Sequence, residues 1–203
     1  MAVRLTEPGV YSLRAADYHS DPAPEPSLSH SIAKMLIPGR RPTRSPRHAW
    51  HAHPRLNPKW EPSKPTQAKD EGAIVHSLIL GTGVPVMEVA ADNWNKKQDQ
   101  VRRAQARAAG QIPILSWRLA ELHDCADAVV EQMMEIESCT DFFDPDCQSE
   151  ATLLWQIGPL WARAMVDRMA PTGIWYDLKS TGISAAPEDF NWTMEREHAT
   201  QDV

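Results

Sequence analysis

Apolar residues recur every three or four positions in the middle of the chain, which is the spacing of one face of an α-helix. The stretch TQAKDEGAIVHSLILG places Ile74 and Leu78 on such a face and ends at Gly81, which suits a helix C-cap. The same spacing predicts a long amphipathic helix over Ser116–Ser138 and a basic helix over Asn93–Ala109, and PVMEVA predicts a short strand. The middle of the chain is therefore predicted to be mainly helical.

The first third of the chain lacks this periodicity. Residues 1–28 are rich in Pro, Ser and Asp, and residues 38–66 contain many prolines and basic residues, with one helical turn predicted near Pro46–Trp50. The stretch SLSHSIAKMLI between them predicts a short helix. We predict an irregular, basic N-terminal arm, residues 1–66, packed on a core domain of residues 67–203.

Three runs of strand-forming residues follow the helices and are joined by short turns. The predicted strands are Glu150–Ile157, Leu160–Arg168 and Ile174–Ser180. The first turn is Gly158-Pro159 and the second is Pro171-Thr172-Gly173, in which glycine tolerates positive φ. A final helix is predicted to begin near residues 185–188. The predicted fold is α/β, a mixed sheet flanked by helices.

The two turn lengths fix which residues of these strands lie opposite each other. The two-residue turn places Glu150 opposite Asp167, and the three-residue turn places Asp167 opposite Asp177. Opposed side chains share a face of the sheet, with Cβ atoms about 4.5–5.5 Å apart. Lys179 lies two residues beyond Asp177 and therefore on the same face. A register shift of one residue would move a carboxylate to the other face.

Such a row of acids is electrostatically unfavourable without a counter-charge. Two unit charges about 5 Å apart repel by roughly 3 kcal/mol at an effective dielectric constant near 20. A divalent cation would remove this repulsion, and ligands that are all oxygen favour Mg²⁺ or Mn²⁺ over zinc. The alternative is a solvated sheet face on which the acids meet by chance, although acids are poor strand formers.

Composition limits the class of protein. The 203 residues carry a net charge of −6, and no run approaches eighteen apolar residues, so no membrane span is predicted. The start, MAVRLTEPGVYSL, lacks the apolar core of a signal peptide, and we expect a cytoplasmic protein. The three cysteines form no Cys-x-x-Cys pair and are expected to be reduced thiols.

Basic and acidic residues occupy different parts of the chain. Residues 40–69 hold eight Lys or Arg and one acid, NKKQDQVRRAQAR adds five basic residues, and residues 121–150 hold ten acids and no Lys or Arg. This asymmetry suits a basic surface for DNA phosphates on an acidic body, or alternatively a set of solvated helix faces. The candidate DNA-binding residues are Arg40, Arg41, Arg44, Arg47, Lys96, Lys97, Arg102 and Arg103.

The acidic row also resembles a known motif. Asp167, nine intervening residues and then Asp177-Leu178-Lys179 resemble the PD-(D/E)xK nuclease signature in its Asp-x-Lys form. The surrounding segments resemble, in the same order, those of the phage and prophage exodeoxyribonuclease VIII-like (RecE-type) nucleases. These segments are GVYSLRAADYHSDPAPEPSLSHSIAKMLI, EGAIVHSLILG, SEATLLW, WARAMVDRM and YDLKSTGISAAPEDF. The resemblance implies a PD-(D/E)xK, restriction-endonuclease-like core.

The resemblance also implies a role for each candidate residue. Asp167 and Asp177 match the metal-binding carboxylates, and Lys179 matches the lysine that positions or polarises the attacking water. Glu150, in SEATLLW, matches an upstream acid, and His76 matches a helix histidine that borders or ligates the metal. The implied reaction is Mg²⁺- or Mn²⁺-dependent hydrolysis of phosphodiester bonds in DNA.

The family further implies 5′→3′ digestion of linear duplex DNA ends for phage-type recombination, in the cytoplasm of a bacterial host. A ring-like homo-oligomer and a single-strand annealing protein as partner are part of the same expectation. Two alternatives remain open from the sequence. One is a catalytically inactive DNA-binding remnant of a prophage, and the other is a PD-(D/E)xK endonuclease or repair nuclease.

The family pattern departs from this chain at its end. The family continues into a helix with a Gln-x-x-x-Tyr motif, whereas HATQDV closes this sequence. Gln201 matches the glutamine of that motif, and the tyrosine has no counterpart. We therefore expect a C-terminally truncated member, whose nuclease core is incomplete.

Overall fold

The computed structural model describes the chain in three stretches, residues 3–37, 45–181 and 184–194. Contacts divide the chain into two compact units. Unit 1 consists of Met1–Ser63, Glu150–Asp167 and Lys179–Val203. Unit 2 consists of Lys64–Ser149 and Arg168–Leu178. Both units therefore draw on segments that are distant in sequence, and the predicted division after residue 66 stays a prediction.

The described residues form both strands and helices. The strands are β1 (Gly9–Ser12), β2 (Ser27–Leu28), β3 (Val86–Val89), β4 (Ile112–Leu115), β5 (Gln148–Ile157), β6 (Leu160–Met169) and β7 (Trp175–Tyr176). The helices are α1 (Ala15–His19), α2 (His30–Ala33), α3 (Pro46–Ala52), α4 (Gln67–Leu80), α5 (Lys97–Ala108), α6 (Ser116–Met134) and α7 (Pro187–Thr193), and Glu137–Phe143 forms a 3₁₀ helix.

Unit 1 is built on a mixed sheet with the strand order β1-β5-β6-β2. β1 runs antiparallel to β5, with Tyr11 opposite Thr152, and β2 runs parallel to β6, with Ser27 opposite Trp161. Leu154 of β5 and Trp161 of β6 pack against Ala23 in a small apolar core. The predicted α/β class with a mixed sheet is confirmed, and the assignment to a PD-(D/E)xK core stays a prediction.

The predicted irregularity of the N-terminal region is wrong for residues 3–37. This stretch supplies two strands of the unit 1 sheet and two short helices. The strands are only four and two residues long, so they leave no alternating pattern in the sequence. Hydrogen bonds to longer strands define them, and these bonds link residues more than a hundred positions apart.

Unit 2 has an apolar core between helices and a two-stranded parallel sheet. Ile74 of α4, Ile112 and Ile114 of β4, and Leu122 of α6 are buried together. The N-cap of α4 is Thr66, whose side chain accepts a hydrogen bond from the backbone N–H of Lys69 (3.3 Å). Both α4 and α6 were predicted from periodicity, and the structure confirms them, although α6 ends four residues earlier than expected.

Two strand predictions need correction. The strand β4 was not predicted, because its sequence IPIL contains Pro113, which cannot donate to a ladder. The predicted strand Ile174–Ser180 is reduced to the two residues of β7. Asp177, Lys179 and Ser180 follow β7, and such polar residues are poor strand formers. Among the described helices, none is both long and apolar enough to cross a membrane.

Candidate functional site

The turn after β6 has the geometry that its sequence predicts. The backbone N–H of Ala170 donates to the carbonyl of Ile174 (2.9 Å), and the N–H of Gly173 donates to the carbonyl of Ala170 (3.0 Å). Gly173 has a φ of 88°, a left-handed conformation that glycine adopts without strain. The Pro171-Thr172-Gly173 turn is therefore confirmed.

This turn sets the predicted register of the hairpin formed by β6 and β7. Two residue pairs define the register, Arg168–Tyr176 and Met169–Trp175. Both pairs agree with the three-residue loop that was predicted. The next pair in the same register would be Asp167 with Asp177, and that pairing stays a prediction because β7 ends at Tyr176.

The five predicted catalytic and metal-binding residues are divided between the units. Glu150, Asp167 and Lys179 belong to unit 1, whereas His76 and Asp177 belong to unit 2. Asp177 is exposed and the other four side chains are half-buried. Their predicted roles remain predictions.

Glu150 differs from the neighbouring residues of β5 in its backbone. Its φ is 51°, in the left-handed region, whereas regular strand residues have negative φ. A residue of this kind inside a strand is typical of a β-bulge, which redirects a side chain. The simple alternation used to place Glu150 opposite Asp167 is therefore interrupted at Glu150 itself.

The donors available for a metal ion are carboxylate oxygens. Among the residues that the structure describes, no group of three or more His, Cys, Asp or Glu is placed to hold a metal ion. Mg²⁺, however, usually binds through one or two carboxylates together with water and substrate phosphate. Asp167 and Asp177 have the donor chemistry for such a site.

The predicted basic surface of α5 is exposed in unit 2. Lys97, Arg102 and Arg103 lie on the helix with exposed side chains, and Lys96 precedes it. The guanidinium of Arg103 lies 5.1 Å from the centre of the Trp94 ring, a cation–π contact that orients it. This helix therefore presents basic side chains at a surface, as DNA phosphates would require.

The predicted basic arm is described only in part. Arg47 lies on α3 in unit 1 with an exposed side chain. Arg40, Arg41 and Arg44 lie outside the described residues, as does Gln201. Of the arm arginines that were predicted to bind DNA, Arg47 alone has a described position.

The sequence analysis missed a buried charge cluster in unit 1, formed by Asp21, Ser27, His53, Arg55 and Arg163. Asp21 is fully buried, and one of its carboxylate oxygens lies 2.9 Å from the guanidinium of Arg163. The hydroxyl of Ser27 donates to the same oxygen (2.6 Å), and the backbone N–H of Ser27 donates to the other (3.1 Å). The carboxylate is therefore paired and hydrogen-bonded, as a buried charge must be.

Arg163 connects this cluster to the sheet. It lies on β6, and its Nη1 also donates to the carbonyl of Ser27 (3.0 Å). Its guanidinium lies 5.5 Å from the centre of the Tyr18 ring, and burial raises the pKa of that phenol. Burial lowers the pKa of Arg163, while the carboxylate of Asp21 acts in the opposite direction. Among the described residues, its buried Nε has no hydrogen-bond partner, and the same holds for Oγ1 of Thr152.

His53 closes the cluster from the other side. Its Nδ1 accepts hydrogen bonds from the backbone N–H groups of Arg55 (3.1 Å) and Leu56 (3.3 Å). These bonds assign the ring proton to Nε2, which donates to the carbonyl of Ser27 (3.1 Å) and lies 3.4 Å from Asp21. Burial lowers the pKa of His53, so the neutral ring is favoured.

The cluster has a structural role, because most of its polar atoms are already engaged within the protein. Arg55 adds two bonds to the carbonyls of Ala23 and Pro24 (2.7 and 3.0 Å). Asp21 has a φ of 63°, a conformation that Asp tolerates better than most residues. Asp21 and Arg163 are 142 positions apart, and nothing in the local sequence of either residue predicts their pairing.

Comparison with known proteins adds no family. No family model, no curated protein and no solved structure matches the chain. The argument for function therefore rests on the sequence motifs and on the chemistry of the described residues.

Proposed function

We propose that the protein is a metal-dependent deoxyribonuclease that hydrolyses linear duplex DNA from its ends, in the 5′→3′ direction implied by the family resemblance. One observation supports this more than any other. The hairpin of β6 and β7 has the register predicted from the Asp-x-Lys motif and its turn. Continued by one residue, that register would bring Asp167 and Asp177 together.

In this proposal, Asp167 and Asp177 hold one Mg²⁺ or Mn²⁺ ion. When bound, the ion supplies a Lewis acid for the phosphate and lowers the pKa of a bound water. Two carboxylates are sufficient for Mg²⁺, which retains waters and phosphate oxygens as its other ligands.

The remaining side chains act around that pair. Lys179 holds the attacking water by donating a hydrogen bond and places a positive charge beside the phosphate. Glu150 and His76 orient the carboxylates or bound waters, a role in which neighbouring groups strongly affect metal affinity. The bulge at Glu150 gives its side chain a direction that differs from regular strand alternation.

DNA would be bound through its phosphates by exposed basic side chains. Lys97, Arg102 and Arg103 of α5 and Arg47 of α3 are exposed. Contacts of this kind carry no base preference, so all sequences should bind with similar affinity.

The test compares linear with covalently closed circular duplex DNA in the presence of Mg²⁺. An exonuclease degrades the linear substrate and spares the closed circle, which is the expected result. Cleavage of both substrates would instead identify an endonuclease, and cleavage of neither would leave a DNA-binding protein without nuclease activity.

A salt titration of DNA binding, performed in Ca²⁺ to suppress cleavage, tests the phosphate contacts. Replacing Lys96, Lys97, Arg102 and Arg103 with Ala should reduce the slope of log K against log salt. Each phosphate contact that is lost lowers the slope by roughly 0.9 on duplex DNA. The matched variant replaces Arg40, Arg41, Arg44 and Arg47, and a slope equal to that of the wild type would exclude the arm from DNA binding.

A further inference from the structure

An apolar groove of about 300 Å³ lies within unit 1. It runs beside the edge strand β2 and the helices α2 and α3. Its lining is mainly aliphatic, and the largest contributions come from Leu28, Ile32, Leu36, Trp50, Leu56 and Leu160. The groove is open on one side, so it is accessible from the surface of unit 1.

The groove exposes more large apolar side chains than scattered surface residues would. Leu36, Trp50, Leu56 and Leu160 are each between 40% and 53% exposed, and all four border the same groove. Single exposed apolar residues are ordinary, whereas a contiguous patch marks a binding surface. The proposed nuclease chemistry uses none of these four residues.

The segments that build the groove are basic. Residues 26–37 and 45–60 contain four Lys or Arg and no Asp or Glu. Arg55 is engaged with Asp21 and two backbone carbonyls, but Arg47 and Lys59 are exposed. An occupant with negative charge beside apolar side chains would therefore complement the surface.

The lining argues against single-stranded DNA as the occupant. Sites for single strands place successive aromatic rings along a basic groove, so that each base stacks. Here Trp50 is the one exposed aromatic residue in the described lining, and His53 is buried with both ring nitrogens hydrogen-bonded. The aliphatic side chains offer no donors or acceptors to base edges. A volume of about 300 Å³ is at the small end of ligand pockets.

We propose that this groove is a docking site for an acidic peptide segment of a partner protein. Leucine-type side chains of the peptide enter the groove against Trp50 and Leu56, and its carboxylates face Arg47 and Lys59. This is the helix-in-groove type of recognition, in which anchors spaced three or four residues apart supply affinity and flanking charges supply orientation. The proposal is independent of the nuclease activity.

The test measures fluorescence anisotropy with a fluorescein-labelled peptide of 14 residues, made of Glu with Leu at every third or fourth position. The expected result is saturable binding to the full chain. Trp50→Ala should weaken it at least about tenfold, because truncating a central aromatic anchor removes much of the affinity. Leu56→Ser should weaken it in the same direction, and Arg47→Glu with Lys59→Glu should weaken it most at low salt.

Controls separate the groove from general surface effects. Trp117→Ala removes an equally exposed tryptophan from α6 in unit 2 and should leave peptide binding unchanged. A peptide with Lys in place of Glu should bind at least about tenfold more weakly. Thermal unfolding of each variant verifies that it is folded.

Four results would overturn the proposal. They are the absence of saturable binding below about 1 mM, equal binding of the Lys peptide, displacement of the Glu peptide by oligo-dT, and self-association of the chain that disappears in Trp50→Ala. The third result would assign the groove to DNA and the fourth to a second copy of the chain.

Discussion

Units 1 and 2 place their charged residues very differently relative to their cores. In unit 1, a small apolar core is accompanied by the buried charge cluster, in which Asp21 and Arg163 are almost completely removed from water. In unit 2, Ile74, Ile112 and Leu122 form an apolar core, and the ion pairs Arg107–Asp70 and Arg118–Glu71 lie at its partly exposed edge.

The difference teaches where a single substitution should matter most. A buried charge that loses its partner retains the cost of its desolvation, whereas a partly exposed charge regains water. Unit 1 should therefore respond in an all-or-none way to loss of one charged side chain. Unit 2 should respond mainly to loss of apolar volume.

The largest expected effect on stability is that of Arg163→Met. The substitution leaves the Asp21 carboxylate buried without its cation, and removing one member of a buried ion pair costs about 3–5 kcal/mol. Urea unfolding of the variant and the wild type measures this loss. A loss below about 1 kcal/mol, a value typical of exposed pairs, would contradict the assignment of a stabilising cluster.

The double variant Asp21→Asn, Arg163→Met is the matched control. Asn tolerates the left-handed backbone at position 21, so the substitution removes the charge without backbone strain. The double variant should be more stable than Arg163→Met alone, because it no longer buries an uncompensated charge. Additive losses would show that the two residues are not coupled.

The next largest effect is expected for Ile74→Ala in unit 2. Ile74 is 1% exposed and packs in the centre of the apolar core, and truncation of such a residue costs about 2–5 kcal/mol. The more conservative Ile74→Val should cost about 0.5–1.5 kcal/mol. Equal effects of the two variants would mean that the site collapses around the smaller side chain.

A third prediction uses pH to distinguish the units. The pKa of His53 is lowered in the folded state, so the unfolded chain binds a proton more readily. Its contribution is constant above the unfolded pKa near 6.5, and stability falls as the pH is lowered from there towards the folded pKa. The slope contributed by one histidine is at most about 1.4 kcal/mol per pH unit.

His53→Gln should therefore flatten the dependence of the unfolding free energy on pH below about 6.5. His51→Gln, which changes an exposed histidine of α3, should keep the slope of the wild type. The measurement is urea unfolding at a series of pH values. An unchanged slope in His53→Gln would mean that His53 does not titrate differently on unfolding.

The smallest effect is expected for Arg118→Ala. Arg118 bonds Glu71 through two nitrogens (2.7 and 3.0 Å), but its side chain is about one-third exposed. Pairs of this kind contribute about 0–1 kcal/mol and weaken with salt. A loss comparable to that of Arg163→Met would remove the contrast between the two units.

The sequence predicted the elements whose residues are close together in the chain. The helices α4 and α6 and the hairpin of β6 and β7 follow from local periodicity and turn length, and the structure confirms them. The strands β1 and β2 were missed because their partners are distant in sequence and their own length is too short for a pattern.

The same limit applies to the candidate site. Asp167 and Asp177 were selected because a short turn relates them, whereas Asp21 and Arg163 have no such local relation. The positive φ of Glu150 also has no signal in its sequence, because most residues adopt this conformation only under tertiary constraint. Local chemistry is readable from the sequence, and long-range burial of charge is not.

The most direct test of the nuclease proposal is digestion of linear duplex DNA in Mg²⁺ by the wild type, Asp167→Asn and Asp177→Asn. The substitutions keep size and hydrogen bonding while removing one charge each, and thermal unfolding verifies that the variants are folded. We expect digestion by the wild type, its loss in EDTA, and a decrease of at least about 100-fold in each variant, because both carboxylates hold the ion. Digestion by either variant at the rate of the wild type would contradict the proposal.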